Sequence, residues 1–115
     1  MKFVRDDEAS LWLRDFVADT ESFDWDAGNM VKNAKHGVRP EEIESVFYGE
    51  KFIFAGRIVE PGHREWRGLI LGQSEAGRPL ALIFTRRGDK LRPISCRAMR
   101  RNERRLYAAS IQELS

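Results

Sequence analysis

One cysteine, two histidines and four prolines are all that this chain of 115 residues holds of those types. With Cys96 alone, an internal disulfide is excluded and no thiolate metal site can be assembled. Cys96 lies in the apolar run Ile94-Ser95-Cys96 and is expected to be a packed strand residue rather than a reactive thiol. His36 and His63 stand far apart and form no pair at metal-binding spacing. A glycine-rich phosphate loop, a cofactor fingerprint and a nucleophile elbow are all missing. No cofactor and no metal are therefore expected. No apolar run approaches the length a membrane span needs, and MKFVRDDEASLW meets acids where a signal peptide places its apolar region. The expectation is a cytoplasmic chain without membrane contact. There is no internal repeat, and the length supports one domain with a modest core.

What is plentiful is charge, unevenly placed. Asp, Glu, Lys and Arg make up 33% of the chain, yet the net charge is only +2. Thr85 to Tyr107 holds eight arginines and Lys90 against Asp89 and Glu103, a net +7. Residues 1 to 84 carry 11 basic and 15 acidic side chains, and residues 1 to 26 alone are −5. Guanidinium offers a planar fork of donors matched to phosphate and carboxylate, and it stays protonated near neutral pH. So dense a cluster repels itself unless an anion compensates it, and nucleic acid is the anion that fits. For Arg100 to Arg105 a plain solvated helix face explains the pattern equally well. That explanation is weaker for Arg92 and Arg97, which fall inside a strand. The acidic N-terminal arm could cover the arginines in cis, or be an added packing element with a solvated face; the second reading is the simpler.

Periodicity predicts an amphipathic helix over residues 6–19, with Leu11, Trp12, Phe16 and Val17 on one side. Phe23 to Asp26 reads as a brief extended segment feeding a helix from Ala27 to His36, capped by Asp26 and stopped at Gly37. Pro40 opens a second helix that runs to Gly49. The period then changes. Strands are predicted at Lys51 to Phe54, Arg57 to Glu60, Trp66 to Gly72, Leu80 to Thr85 and Leu91 to Cys96. Leu80 to Thr85 is the most apolar and is expected at the centre, paired as a hairpin with Leu91 to Cys96. Pro93 lacks an N–H, so that last strand should lie at an edge or bulge there. Arg100 to Leu114 closes the chain as a helix with Leu106, Tyr107, Ile111 and Leu114 on its apolar side. Helices, then an antiparallel meander, then a helix make an α+β domain.

Two groups of residues then carry a resemblance. Phe23-Asp24-Trp25-Asp26, Asn33-Ala34-Lys35-His36-Gly37-Val38 and Glu44-Ser45-Val46-Phe47 form the first. Arg67 five residues before Gly72, Gly77-Arg78, Thr85 to Asp89, Arg92, Ile94 to Ala98, Arg101, Glu103-Arg104-Arg105 and Tyr107 form the second. Over about residues 23 to 110 the chain resembles the BrnT family of bacterial toxins. The resemblance implies a RelE-like fold, with a small antiparallel sheet packed by N-terminal helices and a C-terminal helix. Residues 1–22 would be an N-terminal amphipathic extension and 23–115 the BrnT-like domain. It further implies an endoribonuclease that cuts RNA without a metal, and a ribbon-helix-helix antitoxin of the BrnA kind as partner. DNA would be reached only through the toxin–antitoxin complex. Arg67 and Arg97 are the expected phosphate and transition-state stabilisers, with Arg86 and Arg92 in support. His36 or Lys35 is the candidate proton carrier, and Glu103 a base or the partner that orients an arginine. Arg101 and Arg104 are RNA-binding candidates; Tyr107 either stacks on a base or packs the helix, packing being favoured. Trp66 departs from the family pattern, which places an acid before the arginine, and Pro93 replaces a β-branched residue. The competing reading is a non-catalytic basic module that binds an acidic protein or nucleic acid.

Overall fold

The computed structural model describes residues 1–19, 21–49 and 51–114, with the side chains of Glu113 and Leu114 left aside. In chain order the elements are β1 (Lys2–Val4), α1 (Asp7–Arg14), α2 (Ala27–Ala34) and α3 (Pro40–Ser45). Then come β2 (Ile53–Glu60), β3 (Gly68–Gln73), β4 (Pro79–Arg87), β5 (Lys90–Ala98) and α4 (Arg101–Leu114). The strands form one antiparallel sheet in the order β1-β2-β3-β4-β5, so the α+β expectation holds. Alternation along β4 divides the core. Leu80, Leu82 and Phe84 pack with Leu13 of α1, Val38 and Ile43 on one face. Ala81 and Ile83 join Leu69, Leu71 and Tyr107 of α4 on the other.

Local signals located several boundaries correctly. Asp26 caps α2 through a reciprocal pair of hydrogen bonds with Asn29. Gly37 takes φ 70°, and the Val38 amide reaches back to the Asn33 carbonyl to finish the helix end. Pro93 lies on the outer strand, and the register slips between Ile83 and Phe84, so the strand is both an edge and bulged. Cys96 is fully buried, and burial pushes its thiol up to about 12, as suits a packed strand residue.

Other expectations need correction. The first helix spans only Asp7–Arg14, because Asp15 already closes it, and Leu11 and Val17 are exposed. The third ends at Ser45 rather than Gly49. The two short strands around residue 55 are one strand, β2, kept continuous by a bulge between Phe54 and Gly56. β3 begins at Gly68, so Arg67 precedes the strand. The middle strand is β3, not Leu80 to Thr85; an apolar run reports burial on both faces, which every interior strand shares. Leu106 is exposed, Ile111 packs against the core as expected, and the predicted Leu114 contact lies outside the described side chains. β1 has no counterpart in the sequence reading, since three residues carry no periodicity.

The outer edge of β5 is closed without a sixth strand. The Leu91 amide donates to the Ser22 carbonyl, and the Asp24 amide to the Leu91 carbonyl, both at 2.9 Å. Farther along, α2 takes over with side chains one turn apart. Asn29 Nδ2 donates to the Pro93 carbonyl at 2.8 Å, and Asn33 Oδ1 accepts from the Cys96 amide at 2.8 Å. Both asparagines are buried. The helix thus supplies the hydrogen bonds that a neighbouring strand would have made.

Candidate active site

Strand register decides which arginines share a surface. Thr85 pairs with Arg92, and Ala81 with Arg97. Arg67, one residue before Gly68, has its carbonyl bonded to the Ile58 amide at 2.8 Å. Since Gly68 pairs with Phe84, alternation places Arg67, Thr85 and Arg92 in one row. Arg97 lies farther along the same face, the one on which α4 packs.

Where α4 does not cover that face, an open cleft of about 240 Å³ remains. It is lined by Gly28, Asn29 and Lys32 of α2, by Glu65 and Arg67 ahead of β3, and by Arg87, Arg92 and Ile94. Four of these side chains are cationic and one is acidic. Glu65 lies 3.9 Å from Arg67 Nε and 3.7 Å from Arg87 Nη2, so it is shared. Arg67 Nε is buried and makes no hydrogen bond among the described residues. Its Nη1 lies 3.5 Å from His63 Nε2. A guanidinium can only donate, so this contact suits a neutral imidazole carrying its proton on Nδ1. Arg92 is held from behind by Asp26 at 2.9 Å and Asp24 at 3.5 Å. The Asn29 amide, and after it the Arg92 guanidinium, keep the Asp26 carboxyl below the usual carboxylate range.

Arg97 is differently placed. Its Nη1 and Nη2 grip both oxygens of Glu103 at 2.7 and 3.0 Å, and Glu103 is only 3% exposed. Glu103 also accepts the Arg100 amide at 2.7 Å, reaching back from the first turn of α4. Burial alone would raise this carboxyl, but the bonds from Arg97 and the Arg100 amide outweigh it and hold the group low. The pair therefore fastens α4 to β5. Of the two roles considered for Glu103, orienting an arginine is the one its contacts match.

The remaining candidates are scattered. Arg86 lies over the Trp12 ring at 4.4 Å, directed towards α1. Tyr107 is buried, its hydroxyl donating to the Lys51 carbonyl at 2.6 Å, as packing requires. Arg101, Arg104 and Arg105 are exposed on α4 and Arg100 just ahead of it, and none of the four joins an ion pair among the described residues. Lys35 and His36 are exposed after the end of α2, and no side-chain bond ties them to the arginines among the described residues. Of the predicted residues, the fold brings Arg67 and Arg92 into one cleft. Lys32, Glu65 and Arg87 also line the cleft and were not predicted as site residues, and His63 lies beside Arg67. Arg87 belongs to the arginine-rich stretch, whereas nothing in their local sequence marks Lys32 and Glu65, because a helix face and a loop meet there only in three dimensions. Of the acids in residues 1–26, Asp7 meets Arg5 and Asp19 meets Ser22, whereas Asp6 reaches Trp66 and Arg57, and Asp24 and Asp26 reach Arg92. Among the described residues, no group of three or more His, Cys, Asp or Glu side chains could hold a metal ion. No described helix is long and apolar enough to cross a membrane.

Comparison with the curated proteins gives no match. A family model does match: that of the ribonuclease toxin BrnT of type II toxin–antitoxin systems, over residues 25–103. The matched stretch runs from Trp25, just before the α2 cap, to Glu103, which closes on Arg97. It takes in α2, α3, the whole β2–β5 meander and every residue that lines the cleft. The chain belongs to the BrnT family of type II toxin–antitoxin ribonuclease toxins.

Proposed function

We propose that the cleft around Arg67 and Arg92 cuts RNA internally, using the 2′-OH of the substrate as nucleophile and no metal. The observation that carries this is the placement of two partly buried guanidiniums in one open cleft, the first of them, Arg67, beside His63. In such a reaction a base takes the 2′-OH proton, the oxygen attacks phosphorus, and the 5′-oxygen leaves with a proton. Negative charge on the phosphate grows meanwhile, and fixed cations aimed at it lower the barrier. Arg67 is assigned to that charge, with Arg92 and Lys32 on the flanking phosphate oxygens. His63 takes the proton-carrying role in place of His36 or Lys35, because it alone of these three touches a cleft arginine. Arg97 and Glu103 brace α4, whose exposed Arg101 and Arg104 track the RNA backbone. A RelE-like relationship suits the antiparallel meander with helices on both faces. A BrnA-like ribbon-helix-helix antitoxin would neutralise the activity by covering the same cations, and would carry the complex to DNA.

The test is cleavage of a single-stranded RNA by purified protein in excess chelator, with and without ribosomes. Arg67→Ala should lower the rate by about 10²- to 10³-fold without shifting thermal unfolding. Intact RNA under all of these conditions would remove the nuclease reading. Salt-sensitive RNA binding without cleavage would favour the basic binding module, which the exposed arginines of α4 would suit equally.

A further inference from the structure

Arg67 has little of its own to hold it. Its Nε makes no hydrogen bond among the described residues, Glu65 stands at 3.9 Å, and His63 at 3.5 Å. The direction of its side chain therefore depends on the backbone that carries it, and that backbone is fixed at Trp66. The Trp66 carbonyl accepts from Thr85 Oγ1 at 2.6 Å. Its ring packs against Phe54 and Phe84, with centroids 6.1 and 5.5 Å away. Gly68 leaves the ring its space, since a Cβ there would come within 2.7 Å of it. The indole N–H donates to Asp6 Oδ2 at 2.8 Å.

Asp6 is itself well anchored. Its other oxygen accepts the Ala9 amide at 3.1 Å and so caps α1, and Arg57 Nε lies 3.9 Å from Oδ2. The strand before it, β1, is seated on β2 at Gly56, where a Cβ would come within 2.5 Å of the Val4 carbonyl oxygen. A continuous path thus runs from the sheet edge through Asp6 and Trp66 to Arg67. Asp6 precedes the matched residues 25–103.

From this path we infer that Asp6 is a positioning residue for the cleft, holding Arg67 in place through the indole of Trp66. The inference rests on the reading of the cleft given above. Trp66→Phe keeps the ring packing and removes only the indole N–H. Asp6→Asn keeps a good helix cap and leaves that N–H without its carboxylate. In both variants the Arg67 Nε–H resonance, observed by ¹⁵N NMR, should shift or broaden, while that of Arg97, gripped by Glu103, stays put. The cleavage kcat should fall about tenfold with KM and thermal unfolding unchanged, and the double variant should be no worse than either single one. An unmoved Arg67 resonance overturns the inference whatever the RNA assay gives. A shifted resonance with unchanged kcat overturns the positioning role in cleavage. A shifted resonance in a protein that cuts no RNA even as wild type upholds the coupling and removes the ribonuclease reading of the cleft instead.

Discussion

Arg67 and Arg97 carry the same group on the same sheet face, yet only one is free to meet a ligand. Arg97 spends both terminal nitrogens on Glu103, whereas Arg67 keeps a buried Nε without a hydrogen bond among the described residues. Removing either member of the Arg97 pair strands a partner that has left water, so damage there should appear as lost stability. Glu103→Gln should cost on the order of 2 kcal/mol near neutral pH, read from denaturant unfolding. The pH dependence has a definite sign. The folded carboxyl titrates below its ordinary 4.5, so its contribution is complete above that value and is lost as the pH falls through the lower, folded one. The difference between wild type and Glu103→Gln should accordingly shrink on acidification, and a gap that stays constant down to about pH 3 would contradict the assignment.

Among the elements, α2 does the least expected work. An asparagine in a helix interior is a neutral choice at best, and neither periodicity nor charge separates Asn29 and Asn33 from solvent-facing polar residues. Their meaning appears only when β5 is alongside, where they satisfy the Pro93 carbonyl and the Cys96 amide. Asn33→Ala leaves a buried strand amide unpaired and should cost about 1–3 kcal/mol, with faster hydrogen exchange at Cys96 as the local readout. The same contrast explains what could be read in advance. Asp26, Gly37 and Pro93 act on their own backbone, so their cap, turn and bulge were legible. The unity of β2, the early end of α1 and the existence of β1 depend on what packs beside them, and were not. Arg92 could be singled out because arginine inside a strand is unusual, and Arg67 through the family resemblance. Lys32 joins them through tertiary contact alone, while His63 and Glu65 are brought to Arg67 by the turn of their shared loop.

Across the whole molecule the charges separate by surface. Arg92 is compensated by Asp24 and Asp26 and Arg97 by Glu103, while the arginines of α4 face solvent. An exposed basic helix contributes to nucleic-acid affinity mainly by releasing counterions, and its loss weakens all sequences alike. The double variant Arg101→Ala/Arg104→Ala should bind RNA more weakly, with a shallower dependence of log affinity on log salt. The slope should drop by about 0.7 for each single-strand phosphate contact removed. An unaltered slope would mean that these arginines do not meet RNA. Cutting away the acidic arm to unmask them is not a clean comparison, because Ala9 and Leu13 of α1 are buried in the core.

The first third of the chain closes both margins of the sheet, β1 lying along β2 and the stretch from Ser22 to Asn33 along β5. Asn29 meets Pro93 and Asn33 meets Cys96 across sequence separations of 64 and 63 residues, and Asp6 meets Trp66 across 60. During synthesis those early residues emerge with nothing to bind, and their partners arrive only once the late strands have left the ribosome. Contacts of such long range also slow folding. The cleft, lined by residues from Gly28 to Ile94, therefore cannot assemble before β5 has emerged.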